Sequence, residues 1–313
     1  MMDFKGADIL SAKQFNRGDI ENVLKMAKKM EPFASKKKWS DLLKDKLIAS
    51  LFYEPSTRTR MSFETAAQRL GAKVISVVGV QFSSLSKGET LYDTGKTIEN
   101  YADAIVIRHP KDGAAEEIAV GANIPVINAG DGSSEHPTQA FLDLYTIQKE
   151  VGKIDGLTVA MVGDLKYGRT VHSLSLMLSH FNVKLIFVSP KELKMPEHIC
   201  RSLKEHNIDC VDYSETEDFA GSIKQAQIVY MTRIQEERFS DKKEYEKHRG
   251  QYVLTREFVE EKNPRAIIMH PLPRIWEIAR DTDDLPGAMY FKQVANGVAV
   301  RMALLALIFG KHP

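Results

Sequence analysis

Three hydroxyls and a guanidinium fall in four consecutive positions, Ser56-Thr57-Arg58-Thr59, directly after an apolar run and the Glu54-Pro55 pair. Upstream, Leu47, Ile48, Ala49, Leu51 and Phe52 have the near-continuous hydrophobicity of a strand buried on both faces. Downstream, Phe63, Ala66, Ala67 and Leu70 recur at helical spacing and Gly71 follows, the pattern of an amphipathic helix closed by a glycine. Residues 56–59 therefore stand at a helix N-terminus, where free N–H groups and the positive end of the helix dipole already favour an anion. Ser56, Thr57, Thr59 and the forked guanidinium of Arg58 add donors suited to a phosphate. The plainer use of Ser56 is an N-cap, which requires no ligand.

Other cations and amides stand just past predicted strands. Arg108-His109-Pro110 follows residues 104–107, and Asn128-Ala129-Gly130-Asp131-Gly132, then His136-Pro137-Thr138-Gln139, follow residues 125–128. Arg169 comes after residues 157–163, Arg233 and Gln235 after residues 228–231, and His270-Pro271-Leu272-Pro273-Arg274 after residues 266–269. Any one of these is more often structural than ligand-binding. In an open α/β sheet, however, the carboxyl ends of the strands converge on one crevice, and so many cations and amides there point to an anionic ligand. Arg169 and Arg233, with Gln235, offer two guanidiniums, one fork for each carboxylate of a dicarboxylate amino acid.

Such positions demand a particular scaffold. Apolar strands at residues 46–53, 73–78, 104–107 and 125–128 alternate with helical patterns, which predicts parallel βαβ units. A helix from about Pro137, with Phe141, Leu144 and Tyr145 on one face, leads to the break Gly152-Lys153-Ile154-Asp155-Gly156, and the hinge is placed around this helix. Further strands follow at residues 157–162, 184–188, 228–231 and 266–269. The fold class expected is α/β with two doubly wound parallel-sheet domains, residues 1–136 and 137–293. The C-terminal helix, residues 294–313, has more apolar faces than a free terminus needs and is expected to pack back on the first domain. Residues 232–251 are so rich in charge that they are expected at the surface, as a solvated helix and loop or as a lid.

A chain of 313 residues is long enough for two domains with separate cores. With 43 basic and 42 acidic residues it has no global field to attract nucleic acid or a membrane surface. The segment Met1-Met2-Asp3-Phe4-Lys5-Gly6 lacks an apolar signal region, and the longest apolar run, residues 302–309, is too short to span a bilayer, so a cytoplasmic location is expected. Cys200 and Cys210 lack CxxC spacing and are expected to be reduced bystanders, with no metal or cofactor involved.

Over nearly its whole length the chain resembles the aspartate/ornithine transcarbamoylases. The resemblance is carried by Ser56-Thr57-Arg58-Thr59-Arg60, Ile107-Arg108-His109-Pro110, His136-Pro137-Thr138-Gln139 and the Leu272-Pro273 pair. It implies that residues 1–136 form a carbamoyl-phosphate-binding domain and residues 137–293 an aspartate-binding domain. Ser56, Thr57, Arg58, Thr59, Arg108, His136, Gln139, Pro271, Leu272 and Pro273 then correspond to the carbamoyl-phosphate residues, and the Leu272–Pro273 peptide, as in relatives, is expected to be cis. Thr59, Arg108 and His136, beside Arg58, would donate to the developing oxyanion. Gln139 and the carbonyls of Pro271 and Leu272 would hold the carbamoyl NH2. Lys87, Arg169, Arg233 and Gln235 would bind aspartate. The ornithine branch typically has His-Cys-Leu-Pro where this chain has His270-Pro271-Leu272-Pro273, so the aspartate branch is implied. The reaction expected is carbamoyl phosphate plus L-aspartate to N-carbamoyl-L-aspartate plus phosphate, the committed step of de novo pyrimidine biosynthesis.

By composition, Ser83-Ser84-Leu85-Ser86-Lys87-Gly88-Glu89-Thr90 is an exposed, turn-rich loop. By resemblance it reaches into a neighbouring subunit's site, with Lys87 contacting both anionic substrates and either Ser83 or Ser84 adding a hydroxyl. A shared site implies at least a homotrimer, and relatives occur both with and without regulatory chains and nucleotide control. Glu54, with Arg169 and Arg238, is expected to form a cross-domain bridge on closure. Three rival readings are weaker. Residues 163–170 nearly fit the P-loop pattern G-x-x-x-x-G-K-[ST], but Arg169 replaces the lysine and the later strands, residues 184–188, 228–231 and 266–269, do not end in the aspartate needed for Mg²⁺. A non-catalytic anion binder should have lost part of the constellation. A different acceptor amino acid is the third.

Overall fold

The computed structural model describes residues 1–35, 37–206, 211–239 and 241–313, which leaves the expectation for Cys210 outside the described residues. The chain divides into two compact units, Met1–Tyr145 with Val294–Pro313, and Thr146–Gln293. The chain leaves the first unit within one helix and returns to it within another. The boundary expected at residues 136 and 137 lies at the start of the helix in whose interior this division falls.

In the first unit the elements run α1 (Arg17–Ala34), β1 (Leu47–Phe52), α2 (Thr57–Arg69), β2 (Lys73–Val78), α3 (Leu91–Ile98), β3 (Ala104–His109), α4 (Ala114–Gly121), β4 (Val126–Asp131) and α5 (Pro137–Val151). The sheet is parallel throughout, in the order β2-β1-β3-β4. Strand β1 is buried along almost its whole length, as its unbroken apolar run requires, whereas β2 lies at the edge and is largely exposed. Helix α2 buries Phe63, Ala66 and Ala67, and Leu70 caps it, with Gly71 turning the chain away at φ 86°.

The second unit runs β5 (Leu157–Val162), α6 (Arg169–Leu178), β6 (Val183–Val188), α7 (Glu197–His206), β7 (Val211–Thr216), α8 (Phe219–Gln225), β8 (Ile228–Met231), α9 (Lys242–His248), α10 (Arg256–Lys262), β9 (Ile267–Met269) and α11 (Tyr290–Ile308). Its parallel sheet has the order β7-β6-β5-β8-β9. The sequence signals missed β7. Its residues Val-Asp-Tyr-Ser-Glu-Thr form an edge strand with Asp212, Ser214 and Glu215 exposed, so no apolar run marks it.

Helix α11 is long and apolar enough, by length and composition, to cross a membrane, yet 72% of that stretch is buried inside the protein. From Val294 onward it belongs to the first unit, as its apolar faces led one to expect. Residues 232–251 are less uniformly solvated than their charge suggests. Ile234 and Tyr245 are buried with Leu193, and Tyr167, Phe239 and Trp276 pack against them as a small apolar cluster.

Candidate active site

Both sheets reverse their strand order at an interior pair of strands, and at such switch points open α/β sheets bind ligands. In the first unit the reversal falls between β1 and β3, which are adjacent with Phe52 opposite Arg108. The segment after β1 carries residues 53–59, and the last turn of β3 carries Arg108 and His109. Tyr53 N donates to the Arg108 carbonyl at 2.8 Å, locking the two strand ends together. Ser56 is extended, with φ −161°, and its side chain makes no capping hydrogen bond, so its hydroxyl is not consumed as an N-cap. Thr59 is buried while Thr57 and Arg58 are exposed at the helix start. Arg108 is nearly enclosed, with Nε 2.9 Å from Glu54 Oε2 and Nη1 donating to Ala129 O at 3.4 Å. Glu54 therefore has a partner within its own unit. His109 accepts from Lys111 N at 3.0 Å on Nδ1 and meets the Tyr53 ring edge-on, and burial, then the Lys111 charge, holds its pKa below the usual imidazole value.

His136 is buried at the N-terminus of α5, its carbonyl accepting from Gln139 N at 3.0 Å. Gln139 Nε2 donates to Asp143 Oδ1 at 2.8 Å, one turn on. Asp143 is fully buried and opposes the charge of Arg301 from α11, whose Nη1 donates to Ser62 Oγ at 2.8 Å and whose guanidinium lies over the Phe63 ring at 5.1 Å. Burial lowers the Arg301 pKa to about 10, with Asp143 opposing the shift.

In the second unit the reversal falls between β5 and β8. Gly163 closes β5 at φ 120°, and a Cβ there would lie 2.3 Å from the Thr232 carbonyl, so only glycine allows the two strand ends to approach this closely. Asp164, fully buried, accepts from Tyr167 N at 2.9 Å. Burial pushes its carboxyl up to about 6, against the backbone N–H groups of Tyr167, Gln235 and Lys166 and the charge of Arg233. One carboxylate thus holds the turn that leads to Arg169 and the loop that bears Arg233 and Gln235. Gln235 Nε2 adds a bond to Tyr167 O at 3.1 Å. Arg169 begins α6, and Arg169, Arg233 and Arg238 are all half-buried.

Past β9, the Leu272–Pro273 peptide is cis, as expected, and Leu272 has φ 57°, the one positive value outside glycine among the described residues. Leu272 N donates to His270 Nδ1 at 2.7 Å, and His270 Nε2 lies 2.8 Å from Glu277 Oε1, both side chains only 1% exposed. Burial pushes the Glu277 carboxyl up, but the bond and charge of His270 and the N–H groups of Glu277 and Ile275 outweigh it, and the net pKa is lowered.

Lys87 ends a short 3-10 turn, Ser84–Lys87, and is exposed. Ser83 Oγ donates to Val80 O at 2.8 Å, whereas Ser84 is exposed. Sequence reasoning passed over Asp143, Asp164, Glu277 and Arg301 as functional residues. Two of them carried a signal: Asp143 and Arg301 are charges set within apolar helical stretches.

Residues 7–149 match the family described as aspartate/ornithine carbamoyltransferase, carbamoyl-P binding domain, and residues 155–308 match its Asp/Orn binding domain. The aspartate carbamoyltransferase catalytic subunit of Thermococcus kodakarensis is 50% identical over 309 residues, 99% of each chain. That of Methanocaldococcus jannaschii is 52% identical over 298 residues, 95% of this chain and 96% of the relative. Among solved structures, the aspartate transcarbamoylase of Trypanosoma cruzi in complex with carbamoyl phosphate and aspartate superimposes with a TM-score of 0.91 at 38% identity, covering 96% of each chain. By these matches, and by the two switch-point sites, the chain belongs to the aspartate/ornithine carbamoyltransferase family.

Proposed function

We propose that this protein is an aspartate carbamoyltransferase, transferring the carbamoyl group of carbamoyl phosphate to the amine of L-aspartate and releasing phosphate, and that it serves pyrimidine biosynthesis. The observation that carries the acceptor is the second switch point, where Asp164 braces both the turn leading to Arg169 and the loop of Arg233 and Gln235. Two guanidiniums match two carboxylates, and an amino acid with a cationic side chain would meet charge of the wrong sign.

The chemistry follows from the residues. Backbone N–H groups at the start of α2, with Ser56, Thr57, Thr59 and Arg58, bind the phosphate. Gln139 commits its side-chain nitrogen to Asp143, so its oxygen is left to accept from the carbamoyl NH2, together with the carbonyls of Pro271 and Leu272. Thr59, Arg108 and His136 donate to the carbonyl oxygen as the aspartate amine attacks and negative charge develops there. Glu54, ion-paired with Arg108, steadies that donor. The C–O bond to phosphate breaks, and the departing phosphate takes the amine proton, so no side chain serves as general base. Lys87 and the exposed Ser84 reach a neighbouring copy's site in a cytoplasmic homotrimer.

The test is acceptor choice. Phosphate release from carbamoyl phosphate should proceed with L-aspartate and not with L-ornithine or N-acetylornithine; turnover with ornithine, or equal rates with all three, would contradict the assignment.

A further inference from the structure

We propose that His270 and Glu277 are a positioning pair that aims the Pro271 carbonyl at the carbamoyl NH2. The proposal rests on the reading that the Pro271 and Leu272 carbonyls receive this group.

A backbone N–H can only donate, so the 2.7 Å bond from Leu272 N requires a lone pair on His270 Nδ1. The ring proton then sits on Nε2 and is given to Glu277 Oε1 at 2.8 Å. Glu277 is held in turn by Ile275 N at 3.2 Å and Trp276 N at 3.1 Å, and Gln293 Oε1 accepts from His270 N at 3.0 Å. Tautomer and ring orientation are thus both set by fixed partners.

The consequence reaches the site through the planarity of one peptide. The Leu272 N–H and the Pro271 carbonyl belong to the same trans-planar unit and point in opposite directions. Fixing the N–H on His270 fixes the carbonyl. The brace is needed because Leu272 has φ 57°, a region that disfavours a residue with a Cβ. Neither His270 nor Glu277 has to touch substrate for this, so both are positioning residues.

The experiment compares equilibrium binding of carbamoyl phosphate with that of inorganic phosphate, which lacks the NH2. In the wild type, carbamoyl phosphate should bind more tightly. His270→Ala should weaken carbamoyl phosphate about tenfold, the order of one lost hydrogen bond with its alignment, and phosphate less than about twofold. His270→Asn should recover most of the loss, because an Asn oxygen accepts an N–H two residues on in an Asx-turn. Glu277→Gln should show the same selective loss and stands in if His270→Ala does not fold. An unchanged ratio of the two affinities in these variants, or His270→Asn as weak as His270→Ala, would overturn the positioning role. A wild type with no preference for carbamoyl phosphate would instead overturn the underlying reading.

Discussion

Asp164 shows how one residue both braces the loops at the second switch point and leaves a measurable trace. Burial raises its pKa from 3.8 to about 6 even though three backbone N–H groups and Arg233 oppose the shift. A folded-state pKa above the unfolded one means that the native protein holds a proton the unfolded chain releases. This contribution to stability is complete below about pH 4 and is lost as pH rises through 6. Relative to Asp164→Asn, the wild type should therefore gain about 1 kcal/mol between pH 7.5 and pH 5, read from urea unfolding at the two pH values. A difference that shrinks on acidification would contradict the raised pKa. His136 makes a second claim at this scale, that it donates to the oxyanion and is not a base. His136→Asn should keep most of the turnover while His136→Ala loses about a hundredfold, and equal loss in both would remove the donor role.

Elements place these groups, and the last helix does so at a distance in sequence. Arg301 in α11 is the buried counter-charge to Asp143, which holds Gln139. Arg301→Met keeps the bulk and removes the charge, leaving Asp143 buried without this partner. The expected cost is about 3 kcal/mol or more of stability, with a fall in Tm seen by calorimetry. A variant as stable as the wild type would show that the pair is not coupled. The elements differ in how far their sequence announces them. Strand β1 and helix α2 were legible because full burial and helical periodicity leave distinct patterns in Leu47–Phe52 and in Phe63, Ala66, Ala67 and Leu70. Strand β7 was not, since an edge strand owes its place to hydrogen bonds with β6 and its side chains need not be apolar. Nor was the packing of Ile234, Phe239 and Tyr245, apolar residues scattered among charges and gathered only by contacts with Leu193, Tyr167 and Trp276. The motifs expected cations at strand ends, and Arg108 at the end of β3, Arg169 at the start of α6 after β5 and Arg233 after β8 stand there. The braces Asp164 and Glu277 were not legible, because a buried carboxylate is recognised by its partners: Asp164 meets Gln235 and Arg233 from a loop far along the chain, and Glu277 meets His270, Ile275 and Trp276 only once the segment after β9 has folded on itself.

At the scale of the whole molecule, each unit has its own switch point, and residues 7–149 and 155–308 match a carbamoyl-P binding domain and an Asp/Orn binding domain. If the Lys87 loop completes the site of a neighbouring copy, mixing inactive Lys87→Ala and Arg58→Ala chains should restore part of the activity, since some mixed sites would carry neither change. No recovery after subunit exchange would argue for sites contained in one chain. The central claim is that the protein joins the carbamoyl group of carbamoyl phosphate to aspartate. N-(phosphonacetyl)-L-aspartic acid, with which the Trypanosoma cruzi relative was crystallised, carries a phosphonate and an aspartate in one molecule. Calorimetric titration of that compound tests the claim most directly. The wild type should bind it tightly, and Arg58→Ala in the first unit and Arg233→Ala in the second should each weaken it about a hundredfold, the loss of a bidentate charged contact. No binding to the wild type, or a loss from only one of the two substitutions, would contradict the account.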